Sequence, residues 1–189
     1  MPLSVIIPVL NEGEGLSETL DALTNLRALG VEVIVVDGGS RDATIQRARM
    51  RANRVITAPR GLASQMNAGA DRASWDVLLF LHTNTRLPAD AEHVVIKGLE
   101  KSGRAWGRFD VKLEATSPRQ RLAGWIKNLH SRMTGIATGD QAIFVKRDVF
   151  REIGGFPTTE EEAADIALSK RLKQVSRPLC LRERVVKRA

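Results

Sequence analysis

Four β-rich runs, each stopped by a polar or glycine-rich step and followed by a segment of helical period, limit what this chain can fold into. Leu3 to Val9 stops at Asn11-Glu12-Gly13-Glu14, and Val31 to Val36 stops at Asp37-Gly38-Gly39-Ser40. Arg54 to Ala58 stops at Pro59-Arg60-Gly61, and the uncharged run Val77 to Leu81 stops at His82-Thr83-Asn84-Thr85. Between the runs, Leu16, Leu20, Leu23 and Leu26 share one helical face, ended by Gly30. Ile45, Ala48 and Ala52 share a second face behind a capping Asp42, and Leu62, Met66, Ala70 and Ala73 share a third. Strands alternating with helices at this spacing pair in parallel through right-handed crossovers. The pattern predicts a three-layer α/β/α sandwich built on a mostly parallel, mixed sheet.

Ligands of open α/β sheets collect beyond the carboxyl ends of the strands, which puts the chemistry near His82 and Asn84. Past Pro88 the rhythm changes. A helix over Ala89 to Lys101 precedes a half-exposed strand over Ala105 to Glu114, and a helix over Arg119 to Met133 follows. That helix carries Leu122, Trp125, Ile126, Leu129 and Met133 on one face and Arg119, Arg121, Lys127 and Arg132 elsewhere. The favoured expectation is that its apolar face covers the sheet; the sharper one is docking onto an anionic membrane surface. A strand over Gln141 to Lys146, a short helix ending at Gly154-Gly155 and a helix from Asp165 to Gln174 complete the pattern. No repeat or linker divides residues 1–189, so one domain is expected.

The 29 Lys plus Arg against 22 Asp plus Glu give a formal charge of +7, which favours an anionic partner. With no tyrosine and only 4% aromatic residues the chain offers little for stacking bases, so nucleic acid is not the expected partner. A lone Cys180 leaves no internal disulfide and fits a reducing compartment. The N-terminal stretch lacks a basic segment and a long apolar one, and no apolar run approaches the roughly 20 residues that span a bilayer. The expected location is therefore cytoplasmic, with peripheral contact at the inner face of a membrane left open.

The motifs, taken in order, resemble glycosyltransferase family 2, the inverting nucleotide-sugar transferases of GT-A fold. The resemblance rests on Ser4 to Glu12, Val35 to Ser40, Arg60-Gly61 with Gln65-Met66-Asn67-Ala68-Gly69, His82 to Pro88, Gly139-Asp140-Gln141, and Gly154-Gly155-Phe156 before Asp165. It is nearest to small bacterial stand-alone members. It implies a nucleotide-binding part over about 1–88, an acceptor and catalytic part over about 89–189, a UDP-sugar donor and an unidentified acceptor, with a lipid-linked one among the options.

The resemblance puts nucleotide contacts at Pro8, Leu10, Asn11, Glu12, Asp37, Arg60, Gly61, Asn67 and His82, and sugar or acceptor contacts at Gly139 and Gln141. A fixed carboxylate such as Asp37 can accept a uracil N–H or a ribose hydroxyl strongly, or it can serve its own Gly38-Gly39 turn. Asn67 is equally readable as a surface amide. The catalytic base falls to Asp165, with Asp140 second; the plainer role for Asp165 is a helix cap.

Two departures matter. The family usually carries an aspartate that binds Mn2+ or Mg2+ where Asn84 stands, and an amide brings no charge to a cation, so Asn84 and His82 should give a weakened or dispensable metal site. Arg60 and Arg86 are the cations that could neutralise phosphate instead. Ala164 stands where a Glu is expected before Asp165. A degenerate nucleotide-sugar-binding protein is the alternative these departures leave, and a basic nucleic-acid module is a remoter one.

Overall fold

The structure is a computed structural model that describes residues 3–114, 118–158 and 163–188. Its first half follows the predicted rhythm. Strand β1 (Leu3–Val9) leads to helices α1 (Gly13–Ala22) and α2 (Thr24–Ala28), and β2 (Glu32–Asp37) to α3 (Thr44–Arg49). Then come β3 (Arg54–Thr57), α4 (Leu62–Arg72) and β4 (Val77–Phe80). The Leu16 to Leu26 face, expected on one helix, is carried by two that meet at Leu23. The second half comprises β5 (Thr85–Arg86), α5 (Ala91–Ser102), β6 (Trp106–Leu113), α6 (Pro118–Thr134), a 3-10 turn at Gly139–Gln141, β7 (Phe144–Lys146), α7 (Arg147–Glu152), α8 (Ala164–Val175) and β8 (Leu179–Lys187).

All eight strands form one sheet in the order β3-β2-β1-β4-β7-β6-β8-β5. The first four are parallel, with Ile6 opposite both Ile34 and Phe80. Strand β7 runs antiparallel to β4 and β6, β6 and β8 are parallel, and β5 closes antiparallel on β8. Three strands separate β4 from β5 in the sheet, yet only residues 81–84 separate them in sequence. The sheet must therefore curl until its far edge meets the segment just after β4, which is the His82 segment.

Side chains alternate across each strand, so the sheet has a core on either face. Leu3, Val5, Ile7 and Val9 of β1 join Val33, Val35, Leu79 and the α1, α2 and α5 leucines on one side. Ile6 joins Ile34, Val36, Leu78 and Phe80 with Met66, Phe150, Phe156 and Leu168 on the other. The predicted three layers are present.

Three expectations are corrected. The strand over Ala105 to Glu114 was expected to be half exposed, but Trp106 to Val111 are all buried, because β7 and β8 flank β6 and α6 covers it. The strand expected from Gln141 begins only at Phe144, since Thr138 to Gln141 close a capping box instead. Helix α6 lies the opposite way round from the favoured expectation. Gly124, Asn128 and Ser131 face inward, while Leu122, Trp125, Ile126, Leu129 and Met133 are exposed. The reason is polar: the Asn128 side chain accepts from the Val111 amide at 2.8 Å and donates to the Val111 carbonyl at 2.9 Å, as a neighbouring strand would. Arg108, fully buried, donates to Asp110 and to the Asn128 carbonyl, and Arg132 donates to the other Asp110 oxygen at 2.8 Å.

Candidate functional site

Because β1 to β4 are parallel, the loops after them leave the same edge of the sheet. This brings Pro8, Leu10, Asn11 and Glu12 beside Asp37, and Arg60-Gly61 and His82 to the same end. The loops are fastened to each other. Asn11, at φ 54°, donates its amide to the Ser40 hydroxyl at 2.8 Å, and its side-chain oxygen accepts from the Arg41 amide at 2.9 Å. The Glu12 and Gly13 amides donate to Thr44 Oγ1 and Asp42, respectively. Gln65 of α4, nearly fully buried, donates from one side-chain nitrogen to the carbonyls of Val9 and Val36, joining the ends of β1 and β2.

Asp37 accepts from the Gly39 amide at 2.9 Å and the Ser40 amide at 3.0 Å, so its carboxylate shapes its own turn. Asn67 is half-buried and is not simply a surface amide. It donates to the Phe156 carbonyl and accepts from the Phe156 amide, both at 2.9 Å, and so pins the Gly154-Gly155-Phe156 segment to α4. Arg60 is exposed beside Gly61, and Arg86, also exposed, pairs with Glu18 at 2.8 Å.

The second half of the chain completes the site. Antiparallel pairing of β7 with β4 puts the turn before β7 at the carboxyl end of β4, where the Phe80 amide donates to the Ile143 carbonyl at 2.9 Å. Helix α8 is held there by Ser169, whose hydroxyl accepts from the Ala137 amide at 3.0 Å and donates to the Ala137 carbonyl at 3.1 Å. One turn earlier, Asp165 therefore faces Gly139. Among the described residues no side-chain hydrogen bond caps α8, and the Asp165 side chain is directed at Gly139 instead. A methyl group added at Gly139 would collide with both His82 Nε2 and Asp165 Oδ2, which shows that glycine is what lets these two side chains converge. His82 Nε2 is buried and has no hydrogen-bond partner among the described residues.

The two candidate bases differ in their electrostatics. Burial pushes the Asp165 carboxyl above the ordinary carboxylate value; Asp140 adds to this, while His82, the Gly139 amide and Lys127 oppose it. Burial also disfavours the charge on Asp140, but hydrogen bonds from Lys127 and Thr138, with the charges of Lys127 and Lys187, outweigh it and hold that carboxyl below the ordinary value. The contacts are close, with Lys127 Nζ at 2.5 Å, Thr138 Oγ1 at 2.6 Å and Lys187 Nζ at 3.4 Å. Gln141 is fully buried; its side-chain oxygen accepts from the Thr138 amide at 3.2 Å, and its nitrogen donates to Asn128 at 3.4 Å.

Asn84 is exposed, and its side-chain oxygen accepts from the Thr85 hydroxyl at 3.2 Å. Among the described residues no three His, Cys, Asp or Glu side chains gather to hold a metal. The acidic run Glu160 to Glu162 lies outside the described residues.

Comparison with known proteins gives this arrangement a family. Residues 4–154 match the family model described as Glycosyl transferase family 2. The chain belongs to this family. It is 31% identical over 173 residues to a PGL/p-HBAD biosynthesis glycosyltransferase of Mycobacterium tuberculosis, covering 86% of this chain and 66% of that protein. It is 33% identical over 107 residues to a dolichol-phosphate mannosyltransferase of Pyrococcus furiosus, covering 53% of this chain and 30% of that one. The chain thus spans less than two thirds of the length of these relatives. Among solved structures, S. aureus TarS 1-349 in complex with UDP-GlcNAc superposes with a TM-score of 0.80 at 18% identity, covering all of this chain and 59% of that one. The mannosyltransferase PcManGT of Pyrobaculum calidifontis, in complex with GDP-Man and Mn2+, gives 0.75 at 22%, covering 98% and 56%. The fold is that of GT-A glycosyltransferases.

Within this family 2 chain, sequence reasoning missed three residues that shape the site. Gln65 was legible only as part of a motif, and its clamp on two carbonyls needs the β1–β2 register. Lys127 read as part of a solvated basic face, although it is the sequence neighbour of Asn128 and Asp140 needs a partner. Lys187 had no signal, because the strand that carries it was not anticipated.

Proposed function

We propose that this domain transfers a sugar from a nucleotide-sugar donor to an acceptor hydroxyl or phosphate oxygen with inversion, and that Asp165 is the base. The convergence of Asp165 and His82 on Gly139, at the edge where the nucleotide loops lie, carries this reading. The acceptor oxygen attacks the anomeric carbon from the face opposite the diphosphate, and an acceptor hydroxyl gives its proton to Asp165. The bond from the anomeric carbon to the phosphate oxygen breaks, and the nucleoside diphosphate leaves with the electron pair. A carboxylate whose basicity is raised by burial suits this proton transfer. Asp140, already paired with two lysines and hydrogen-bonded by Thr138, is the poorer base, so its part is to hold Lys127 and Lys187 beside the site.

The donor is taken to be a UDP-sugar, because the TarS complex named above holds UDP-GlcNAc; the PcManGT complex makes a GDP-sugar the comparison to run. Mn2+ in the latter supports use of a divalent cation. The protein's own groups fit one only in part: His82 Nε2 is a buried nitrogen without a partner among the described residues, Asn84 is neutral, and neither brings anionic charge. Such a pair would hold a cation only together with the donor's diphosphate. When bound, the cation would offset charge on the leaving diphosphate. A lipid-linked acceptor, met at the cytoplasmic face of a membrane, completes the reading.

The test is a thermal-shift panel of UDP, GDP and their sugars with and without Mn2+, run on the wild type and on Asp165→Asn. A uridine nucleotide should raise the melting temperature of both proteins, and only the wild type should turn over donor. Mn2+ alone should give no tight calorimetric binding. Full turnover by Asp165→Asn removes it from the mechanism, and nucleotide binding without any transfer or donor hydrolysis by the wild type leaves a binding protein.

A further inference from the structure

Helix α6 turns its apolar side to solvent. Leu122, Trp125, Ile126, Leu129 and Met133 are 55, 60, 52, 41 and 79% exposed, and they make up half of the ten exposed large apolar side chains among the described residues. At 100° per residue they fall within an arc of about 100°, a continuous stripe along the helix. The other five, Leu29, Met50, Trp75, Ile166 and Val175, are scattered past the ends of α2 and α3, before β4 and over α8, and form no such line. Isolated exposed apolar residues are ordinary, whereas a contiguous stripe marks a surface that something covers.

The inward side of α6 leaves the helix no freedom to roll this stripe into the core. Asn128 is bonded to both backbone groups of Val111, Arg132 to Asp110, and Lys127 to Asp140. Gly124 packs on β6, with the position of its missing methyl at ordinary contact distance, 3.5 Å, from Leu113. Next to the stripe a groove of about 550 Å³ opens between α6, β6 and β8, walled by Val111, Leu113 and Trp125 and edged by exposed Lys112 and Arg184 with one acid, Glu114. The sequence of α6 contains Arg119, Arg121, Lys127 and Arg132 and no acidic residue.

We propose that this face docks on an anionic lipid bilayer, with α6 lying in the plane of the interface and its apolar stripe among the upper acyl chains. An apolar stripe with a cationic rim is the pattern that binds anionic interfaces. A second copy of the chain is disfavoured, since a two-fold contact would bring Lys112 and Arg184 of both copies together. The placement rests on the transfer reading only for its purpose, which is to bring Asp140, bonded to Lys127 of α6, and the neighbouring Asp165 to an acceptor held in the membrane.

The test is flotation of the full chain with phosphatidylcholine vesicles, with and without phosphatidylglycerol, at low and high salt, with no nucleotide present. The wild type should float with the anionic vesicles at low salt. Trp125→Ser with Leu129→Ser should lower its partition at least about tenfold, given the apolar area removed. Lys112→Glu with Arg184→Glu, a variant that leaves the stripe intact, should lower it as well. Both variants should keep the wild-type melting temperature and nucleotide response, so failure of docking is read separately from failure of the transfer reading. No flotation at low salt, or undiminished flotation of both variants, overturns the proposal. Self-association abolished by Trp125→Ser with Leu129→Ser, without vesicle binding, overturns it in favour of a second copy.

Discussion

At the scale of single residues, Asp140 and Asp165 stand within one site and should respond oppositely to the same substitution. The folded state lowers the pKa of Asp140, so its ionised form adds stability that is complete above the ordinary carboxylate value and lost as pH falls through the lowered one. Asp140→Asn should therefore lower the melting temperature at pH 7 by a few degrees, since a largely buried carboxylate with half-buried partners contributes on the order of 1 kcal/mol. That difference should shrink as pH falls through the lowered value, where the wild-type carboxyl is protonated too. For Asp165 the sign reverses: its pKa is raised, so its ionised form costs stability once pH rises past the ordinary carboxylate value. Asp165→Asn should leave the melting temperature at pH 7 unchanged or higher while removing transfer. Melting curves of both variants from pH 3 to pH 8 check the pair, and a lower melting temperature for Asp165→Asn at pH 7 would contradict the assignment.

At the scale of elements, the motif Gln65-Met66-Asn67-Ala68-Gly69 shows how residues that read as a signature divide their labour along one helix. Gln65 joins the ends of two strands, Met66 enters the core, Asn67 holds the Phe156 backbone, and Gly69 sets the distance of α4 from the sheet. A methyl group at Gly69 would collide with Ile6 Cγ2 and lie 3.0 Å from Val36 Cγ2, both fully buried. Replacing a mid-helix glycine by alanine gains about 0.5–1 kcal/mol of backbone entropy. Forcing a methyl into a closed core costs about 1–3 kcal/mol, and the cost wins here because neither neighbour has room to move. Gly69→Ala should destabilise the protein by about 1 kcal/mol in urea unfolding, and a stabilised variant would show that α4 can lift from β1 and β2. The four initial strands and their helices were legible because a strand covered on both faces and a helix covered on one leave different periods in the sequence. Helix α6 was legible as a helix but not in its orientation. Apolar periodicity shows which residues share a face, whereas here the inward face is chosen by Asn128 acting as a strand partner to Val111.

At the scale of the whole molecule, the candidate site exists because the β5 edge of the sheet curls back to the segment after β4, and that closure was the least legible feature. Strand β8, Leu179 to Lys187, carries Arg182-Glu183-Arg184 at its centre, a charged stretch that hides a strand whose neighbours, β6 and β5, lie far away in sequence. The loops along the first half are legible from the ends of the apolar runs, but the meeting of His82, Gly139 and Asp165 depends on β7 beside β4 and on α8 anchored at Ala137, contacts between distant parts of the chain. The closure ends in a clasp. The Arg188 amide donates to the Asn84 carbonyl at 2.8 Å, and its guanidinium donates to Thr83 O at 3.0 Å, to Thr19 Oγ1 at 3.1 Å and to Glu18, which also holds Arg86. One side chain thus ties β8, α1 and the segment after His82 together. Arg188→Ala keeps the backbone bond to Asn84 and leaves Glu18 its pair with Arg86, so the global loss should be modest, about 0.5–1.5 kcal/mol. Its main effect should be local: the Thr85 amide, which donates to the His82 carbonyl at 3.0 Å, should exchange faster with solvent deuterium, while the β1 and β2 amides stay protected. If His82 works from this segment, donor KM should rise with little change in stability. Unchanged exchange at residues 83–86 would mean that β5 alone holds the segment, and that the curl of the sheet reaches the site without the clasp.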